Sequence, residues 1–159
     1  MIVFSRVDDR LIHGQVQTTW ISNSGCKRIF IVDDKVAKDA FTLEILKMAT
    51  PRGVNLNVFS LEDGVKKINE IKDTDEKVML IFKNPVTVKR LHDGGSILSE
   101  LNIGPISAKP GAKMAAKNAY LLAEEVDALK YLDEKGLNIY FQLGPDSEKV
   151  LFRNIKNKL

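Results

Sequence analysis

Two apolar runs, within Arg28–Val32 (RIFIV) and Lys77–Phe82 (KVMLIF), set the tightest limit on the fold of this chain. A strand wetted on one face alternates polar and apolar residues, whereas an unbroken apolar run belongs to a strand covered on both faces, as in parallel sheets flanked by helices. Strand-like and helix-like stretches alternate around these two runs from one end to the other. Ile2–Val7 reads as a strand, followed by a polar loop and a helix over Gln15–Ser22 closed by Gly25. Phe41, Ile45 and Met48, spaced i, i+4, i+7, predict the next helix, ended by Pro51 and Gly53. Asn55–Leu61 is strand-like, and Ser60 with Asp63 resembles a capping box opening a helix that carries Val65, Ile68 and Ile71.

After the Lys77–Phe82 strand, a Lys-Asn-Pro corner starts a helix through Val88 and Leu91, stopped at Gly94-Gly95. Leu101–Ile103 reads as a short strand, Pro105 and Pro110 break the pattern, and Ala112–Leu121 is compatible with helix or strand. Leu122, Val126, Leu129 and Leu132 mark a helix closed by Gly136. Leu137–Leu143 is a strand, Gly144-Pro145 a turn, and Ser147 the expected cap of a last helix with Val150, Leu151 and Ile155. The alternation predicts an α/β fold: an open, mostly parallel sheet of about seven strands, joined by right-handed crossovers, with helices on both faces. No internal repeat or linker divides residues 1–159, so one domain is expected.

Composition removes several function classes. The 24 basic and 21 acidic residues leave a net charge of +3 with both signs interspersed, too weak a bias for nucleic acid. Cys26 is the single cysteine, which excludes an intrachain disulfide and thiolate metal clusters. The N-terminus lacks the basic start and long apolar stretch of a signal peptide, and no run approaches the roughly 18 apolar residues of a membrane span. A cytoplasmic chain is expected, peripheral to a membrane only through partners.

Ligand sites in open α/β sheets lie beyond the carboxyl ends of the strands. That rule points to the first strand–helix loop, Asp8-Asp9-Arg10-Leu11-Ile12-His13-Gly14-Gln15. A helix N-terminus offers unpaired N–H groups and a positive dipole end to an anion. Arg10 can grip a phosphate with two parallel N–H bonds, Gly14 lets the backbone approach whatever sits on His13, and Gln15 can donate a further bond. A phosphoryl-accepting histidine must be neutral to attack phosphorus, and Asp8 or Asp9 can fix its tautomer by accepting the second nitrogen's proton. Residue types alone leave a plainer alternative open, in which Asp8-Asp9 forms a turn, Arg10 pairs with one of them and His13 is an ordinary loop residue.

The stretch Asp8–Val16, DDRLIHGQV, closely resembles the active-site signature of the IIB components of the mannose/fructose/sorbose family of the phosphoenolpyruvate-dependent sugar phosphotransferase system. The resemblance spans the chain: Trp20, IFIVDD at Ile29–Asp34, PRGV at Pro51–Val54, VMLIFKNP at Val78–Pro85, Gly94-Gly95 and Asn102-Ile103-Gly104 follow in the family's order. Departures lie at Lys83, Pro105-Ile106 and Gly144-Pro145, away from the histidine loop. The resemblance implies a phosphocarrier and sugar phosphotransferase. His13, through Nδ1, would receive phosphate from a phosphohistidine on the IIA component and hand it to a sugar carried by the membrane components IIC and IID. Arg10 would stabilise the phosphate, with Gly14, Gln15 and Asp9 in support, and no cofactor or metal is expected. A homo-oligomer is compatible with the sequence.

Other residues have plainer assignments. Asp33-Asp34 can border the same cleft or simply end a strand, and His92, at a helix C-terminus that favours a cation, is expected to be structural. Trp20 is expected in the core, Cys26 as a small buried side chain, and Lys109, Lys113 and Lys117 as a solvated basic run able to meet an acidic IIA surface. Three rival functions are weaker. A receiver-type signalling domain needs an aspartate ending the third strand, where only Glu62 and Asp63 follow. A metal-dependent hydrolase would need Asp8, Asp9, His13 and Asp33 to converge on one ion. A nucleotide-binding domain would need a glycine-rich fingerprint after the first strand.

Overall fold

The computed structural model describes residues 1–159, the side chain of Val16 excepted. In chain order the elements are β1 (Ile2–Val7), α1 (Gly14–Ser24), β2 (Arg28–Val32), α2 (Ala40–Ala49), β3 (Asn55–Phe59), α3 (Leu61–Ile71), β4 (Val78–Phe82) and α4 (Pro85–Asp93). There follow β5 (Glu100–Ile103), β6 (Lys113–Ala116), β7 (Ala119–Leu121), α5 (Ala123–Glu134), β8 (Asn138–Phe141), β9 (Val150–Leu151) and α6 (Phe152–Ile155). Seven strands form one sheet in the order β3-β2-β4-β1-β5-β8-β9. Its first six strands are parallel, and β9 pairs antiparallel with β8 at the edge.

The unbroken apolar runs explain the layering. Successive side chains of a strand point to opposite faces, so Val78, Leu80 and Phe82 join one core layer while Met79 and Ile81 join the other. β2 divides in the same way, Phe30 and Val32 on one side and Ile29 and Ile31 on the other. The first layer is completed by Ile68 of α3, Val88 and Leu91 of α4, Leu129 and Leu132 of α5 and Phe152 of α6. The second is completed by Trp20 and Ile21 of α1 and Leu46 of α2.

Local signals place most helix ends. Gly25 closes α1 in the left-handed conformation at φ 66. The Ser60 hydroxyl accepts from the Asp63 amide at 3.2 Å, and Asn84 caps α4, with Pro85 in its first turn.

One expected helix is present with its apolar stripe turned outward, and one expectation needs correction. Phe41, Ile45 and Met48 do lie on a helix, but they are 76%, 49% and 84% exposed, and Leu46 alone of α2 is buried. Periodicity identifies a helix without saying which side the sheet covers. Val150 and Leu151 are not helical; they pair with Phe141 and Tyr140 and extend the sheet, and the Ser147 hydroxyl tightens the turn by accepting from the Gly144 amide at 3.1 Å. The undecided stretch Ala112–Leu121 is the antiparallel hairpin β6–β7.

Connections leaving β1 run over β4 to β2, whereas those leaving β5 run the other way to β8. The order therefore switches between β1 and β5, and the crevice beyond their carboxyl ends is the expected ligand position.

Candidate active site

At that switch point lies a cleft of about 330 Å³ lined by Arg6, Asp8, Arg10, His13, Gly14, Gln15, Pro105, Asn118 and Leu143. The β1–α1 loop forms one wall, and the segments after β5 and β8 with the β6–β7 turn form the other. Leu11 at φ 61 and Gly14 at φ 60 bend the loop back on itself. At Gly14 the left-handed backbone, rather than lack of room, favours glycine, since a Cβ there would meet nothing within 4 Å.

His13 caps α1 from an extended conformation, and its ring is 24% exposed. Its Nε2 lies 3.0 Å from Oδ1 of Asp8. An ionised carboxylate only accepts, so Nε2 carries the hydrogen and the unprotonated lone pair of a neutral ring sits on Nδ1. Asp8 is 1% exposed, and its Oδ1 also accepts from the Arg10 amide at 3.1 Å.

Behind Asp8 stands a residue that sequence reasoning did not single out. Arg6 is fully buried, with Nη2 3.5 Å from Oδ2 of Asp8. Its Nη1 donates to Asn102 Oδ1 and to the Gln142 carbonyl, and Nη2 donates to the Leu143 carbonyl at 3.1 Å. The guanidinium carbon lies 5.5 Å from the ring centroid of Trp20, within cation–π range. Burial lowers the Arg6 pKa, and the charge and hydrogen bond of Asp8 oppose that shift. Gly104 makes the arrangement possible, because a Cβ there would fall on the guanidinium. The one available signal was an arginine on the same face as Phe4 in a strand whose only other polar residue is Ser5.

The remaining expected site residues divide. Arg10 and Gln15 are exposed on the rim of the cleft, with the Arg10 guanidinium in no ion pair among the described residues. Asp9 does not reach His13; its Oδ2 accepts from the Ser107 amide at 2.7 Å, tying the loop to the segment after β5. Asp33 accepts from the amides of Lys35 and Val36, and Asp34 accepts from the Leu61 amide and pairs with Arg90 at 3.5 Å. Neither orients Arg10 or His13, and the ligands required by a metal-dependent hydrolase diverge.

Trp20 is a core residue, stacked on Phe4 at 4.6 Å, with Nε1 donating to the Leu143 carbonyl at 2.8 Å. Cys26 is buried, which raises its thiol pKa. Lys109 pairs with buried Glu125 at 2.9 Å, so it leaves the basic run, while Lys113 and Lys117 remain exposed. His92 is structural, but as a neutral ring: Nε2 accepts from the Leu98 amide at 3.0 Å, and burial lowers its pKa.

A doubly wound α/β sheet with a histidine held by a buried carboxylate at its switch point defines a class of small α/β proteins with a carboxylate-oriented imidazole in the ligand crevice. Comparison with known proteins narrows the class. The family model of the PTS system sorbose subfamily IIB component matches residues 2–158, and the chain belongs to that family. It is 39% identical over 139 residues to the sorbose-specific EIIB component of Lacticaseibacillus casei, covering 87% of this chain and 85% of that one. It is similar in structure to the IIBSor domain of the sorbose permease from Klebsiella pneumoniae, with a TM-score of 0.92 at 33% identity, covering 99% of this chain and 96% of that one. The mannose-specific EIIAB component of Escherichia coli K12 is 32% identical over 160 residues. The match takes in 100% of this chain and 49% of that relative, so the chain spans about half its length.

Proposed function

We propose that this protein is the phosphocarrier of a sugar phosphotransferase system, taking a phosphoryl group onto Nδ1 of His13 and passing it to a sugar. The contact between Nε2 of His13 and Asp8 carries the reading, because it leaves Nδ1 as the free nucleophile at the mouth of the cleft. The Nδ1 lone pair attacks the phosphorus of a phosphohistidine on the IIA component. As the new N–P bond forms, the donor's N–P bond breaks and its electron pair returns to the donor ring. The His13 ring gains positive character, which Asp8 balances without taking the Nε2 proton, as a buried carboxylate does for a catalytic imidazole. Arg6 neutralises Asp8 from behind, and Arg10 lies at the rim with its guanidinium available for the phosphoryl oxygens.

In the second step a sugar hydroxyl attacks the same phosphorus and releases its proton to solvent; the Nδ1–P bond breaks with its electron pair returning to the ring, which regains its neutral starting form. The sugar is delivered by the membrane components IIC and IID, and the activity is that of a protein-phosphohistidine–sugar phosphotransferase. Among the described residues no helix is long and apolar enough to cross a membrane. In this reading the protein works on the cytoplasmic side, reaching the membrane through those partners. Positioning and charge stabilisation supply most of the catalysis in such transfers.

Incubation with phosphoenolpyruvate, the general phosphotransferase proteins and a IIA component tests the proposal. The expected label is acid-labile, base-stable and on His13, and it is absent from His13→Ala. Labelling of His92, or of His13→Ala at the wild-type rate, overturns it.

A further inference from the structure

The surface around His13 has cations but few apolar anchors. Arg10, Lys35, Lys83 and Lys117 follow the carboxyl ends of β1, β2 and β4 or occupy the β6–β7 turn. All four are exposed and in no ion pair among the described residues. The nearby carboxylates of Asp9 and Asp33 are occupied by backbone amides, and that of Asp34 by Leu61 and Arg90. Asp63, Asp146 and Glu148 are also exposed at this end but follow β3 and β8, so the unpaired cations lie along the carboxyl ends of β1, β2 and β4 and at the β6–β7 turn. Large exposed apolar residues are few: Met1, Phe41, Ile45, Met48, Ile97 and Met114. Met1 and Ile97 precede β1 and β5 and so lie at the opposite end of the sheet.

Phe41, Ile45 and Met48 form a ridge along α2, about 10 Å long for seven residues at 1.5 Å each. The helix starts just beyond the carboxyl end of β2, and the free cations Lys35 and Lys38 flank its first turn. β2 lies two strands from β1, an offset of about 10 Å. A standard protein–protein interface covers about 800 Å² per partner, a disc of about 16 Å radius. An interface centred on His13 therefore reaches the start of α2. Aromatic and methionine side chains are the residue types enriched as interface anchors.

We infer that the Phe41–Ile45–Met48 ridge, with Lys35 and Lys38 beside it, is the docking anchor for the phosphoryl-donor protein, which presents an apolar groove rimmed by carboxylates. The inference rests on the phosphocarrier reading of His13. The ridge supplies affinity and the lysines steer encounter, a division that suits a partner that must arrive fast and leave.

Transfer from the phosphorylated IIA component to the full chain is measured against donor concentration. The double variant Phe41→Ser, Met48→Ser raises the half-saturating donor concentration at least tenfold with the maximal rate and thermal midpoint unchanged. Lys35→Glu with Lys38→Glu raises it too and flattens its dependence on salt. Ile97→Ser, at the far end, changes neither. An unchanged half-saturating concentration in the Phe41/Met48 variant overturns the inference. It is equally overturned if that variant alters only sedimentation or binding to phosphatidylglycerol vesicles, which would assign the ridge to a second copy or to lipid. A wild-type chain that takes no label from the donor defeats the phosphocarrier reading itself, a different result from labelling at unaltered half-saturation.

Discussion

Asp8 stands between an imidazole and a guanidinium and serves both: Oδ1 holds Nε2 of His13 at 3.0 Å, and Oδ2 faces Nη2 of Arg6 at 3.5 Å. The carboxylate that orients the imidazole is thus itself held by a buried guanidinium, so in the proposed phosphocarrier role the reactivity of a partly exposed ring depends on charges in the core.

Asp8→Asn tests that dependence. An amide can still meet one neighbour, but it no longer balances a ring that gains charge, and it leaves Arg6 without its counter-ion. Single-turnover labelling of His13 should slow by about 10²–10⁴-fold. Urea unfolding should show about 3 kcal/mol less stability, because an uncompensated buried charge remains.

Gly104→Ala acts on the same system from a distance. The added methyl falls on the Arg6 guanidinium, which has no free direction to move among Asn102, Gln142, Leu143 and Trp20. A loss of about 1–3 kcal/mol is expected, together with slower labelling, although Gly104 does not line the cleft. Unfolding midpoints and labelling rates measured on one preparation check both effects.

Arg10→Lys separates geometry from charge. Lysine keeps the cation at the rim but cannot present two parallel N–H bonds to one phosphoryl group. Transfer should slow by about 10–100-fold, corresponding to roughly 1.5–3 kcal/mol for a hydrogen bond to a charged group. The fold should be unaffected, since the Arg10 backbone amide makes the bond to Asp8. Wild-type transfer rates would remove Arg10 from the phosphate site.

His92 governs a pH dependence unrelated to catalysis. Its folded pKa is lowered from 6.5 by burial, and its Nε2 accepts the Leu98 amide. The unfolded chain therefore takes up this proton first as pH falls. The contribution is fully present above about pH 6.5 and is lost as pH drops from there towards the folded pKa. His92→Gln, whose side-chain oxygen can accept the same N–H, should show a shallower fall in urea midpoint between pH 7 and 5 than wild type. Because the two proteins differ only at position 92, the difference isolates His92.

Much of the fold and the position of the candidate site are legible without coordinates. The runs RIFIV and VMLIF are strands with both faces covered, which requires helices on two sides and places ligand chemistry beyond the strand ends. The loop Asp8–Gln15 is local in sequence, so the neighbourhood of His13 could be read directly. These inferences use only spacing and residue type within about ten positions, the range over which strand and helix periodicities operate.

Tertiary structure decided what spacing cannot. Asp8, and not Asp9 or Asp34, faces His13, because adjacent residues at a strand end point in different directions and the left-handed turn at Leu11 selects one of them. Arg6 meets Asn102 and Leu143 across 96 and 137 positions of sequence, contacts that exist only after β5 and β8 have joined β1. The same limit applies to α2: its stripe announces a helix, but whether Phe41, Ile45 and Met48 meet the sheet or the solvent depends on how the helix is rolled against β2, and Leu46 won that contact.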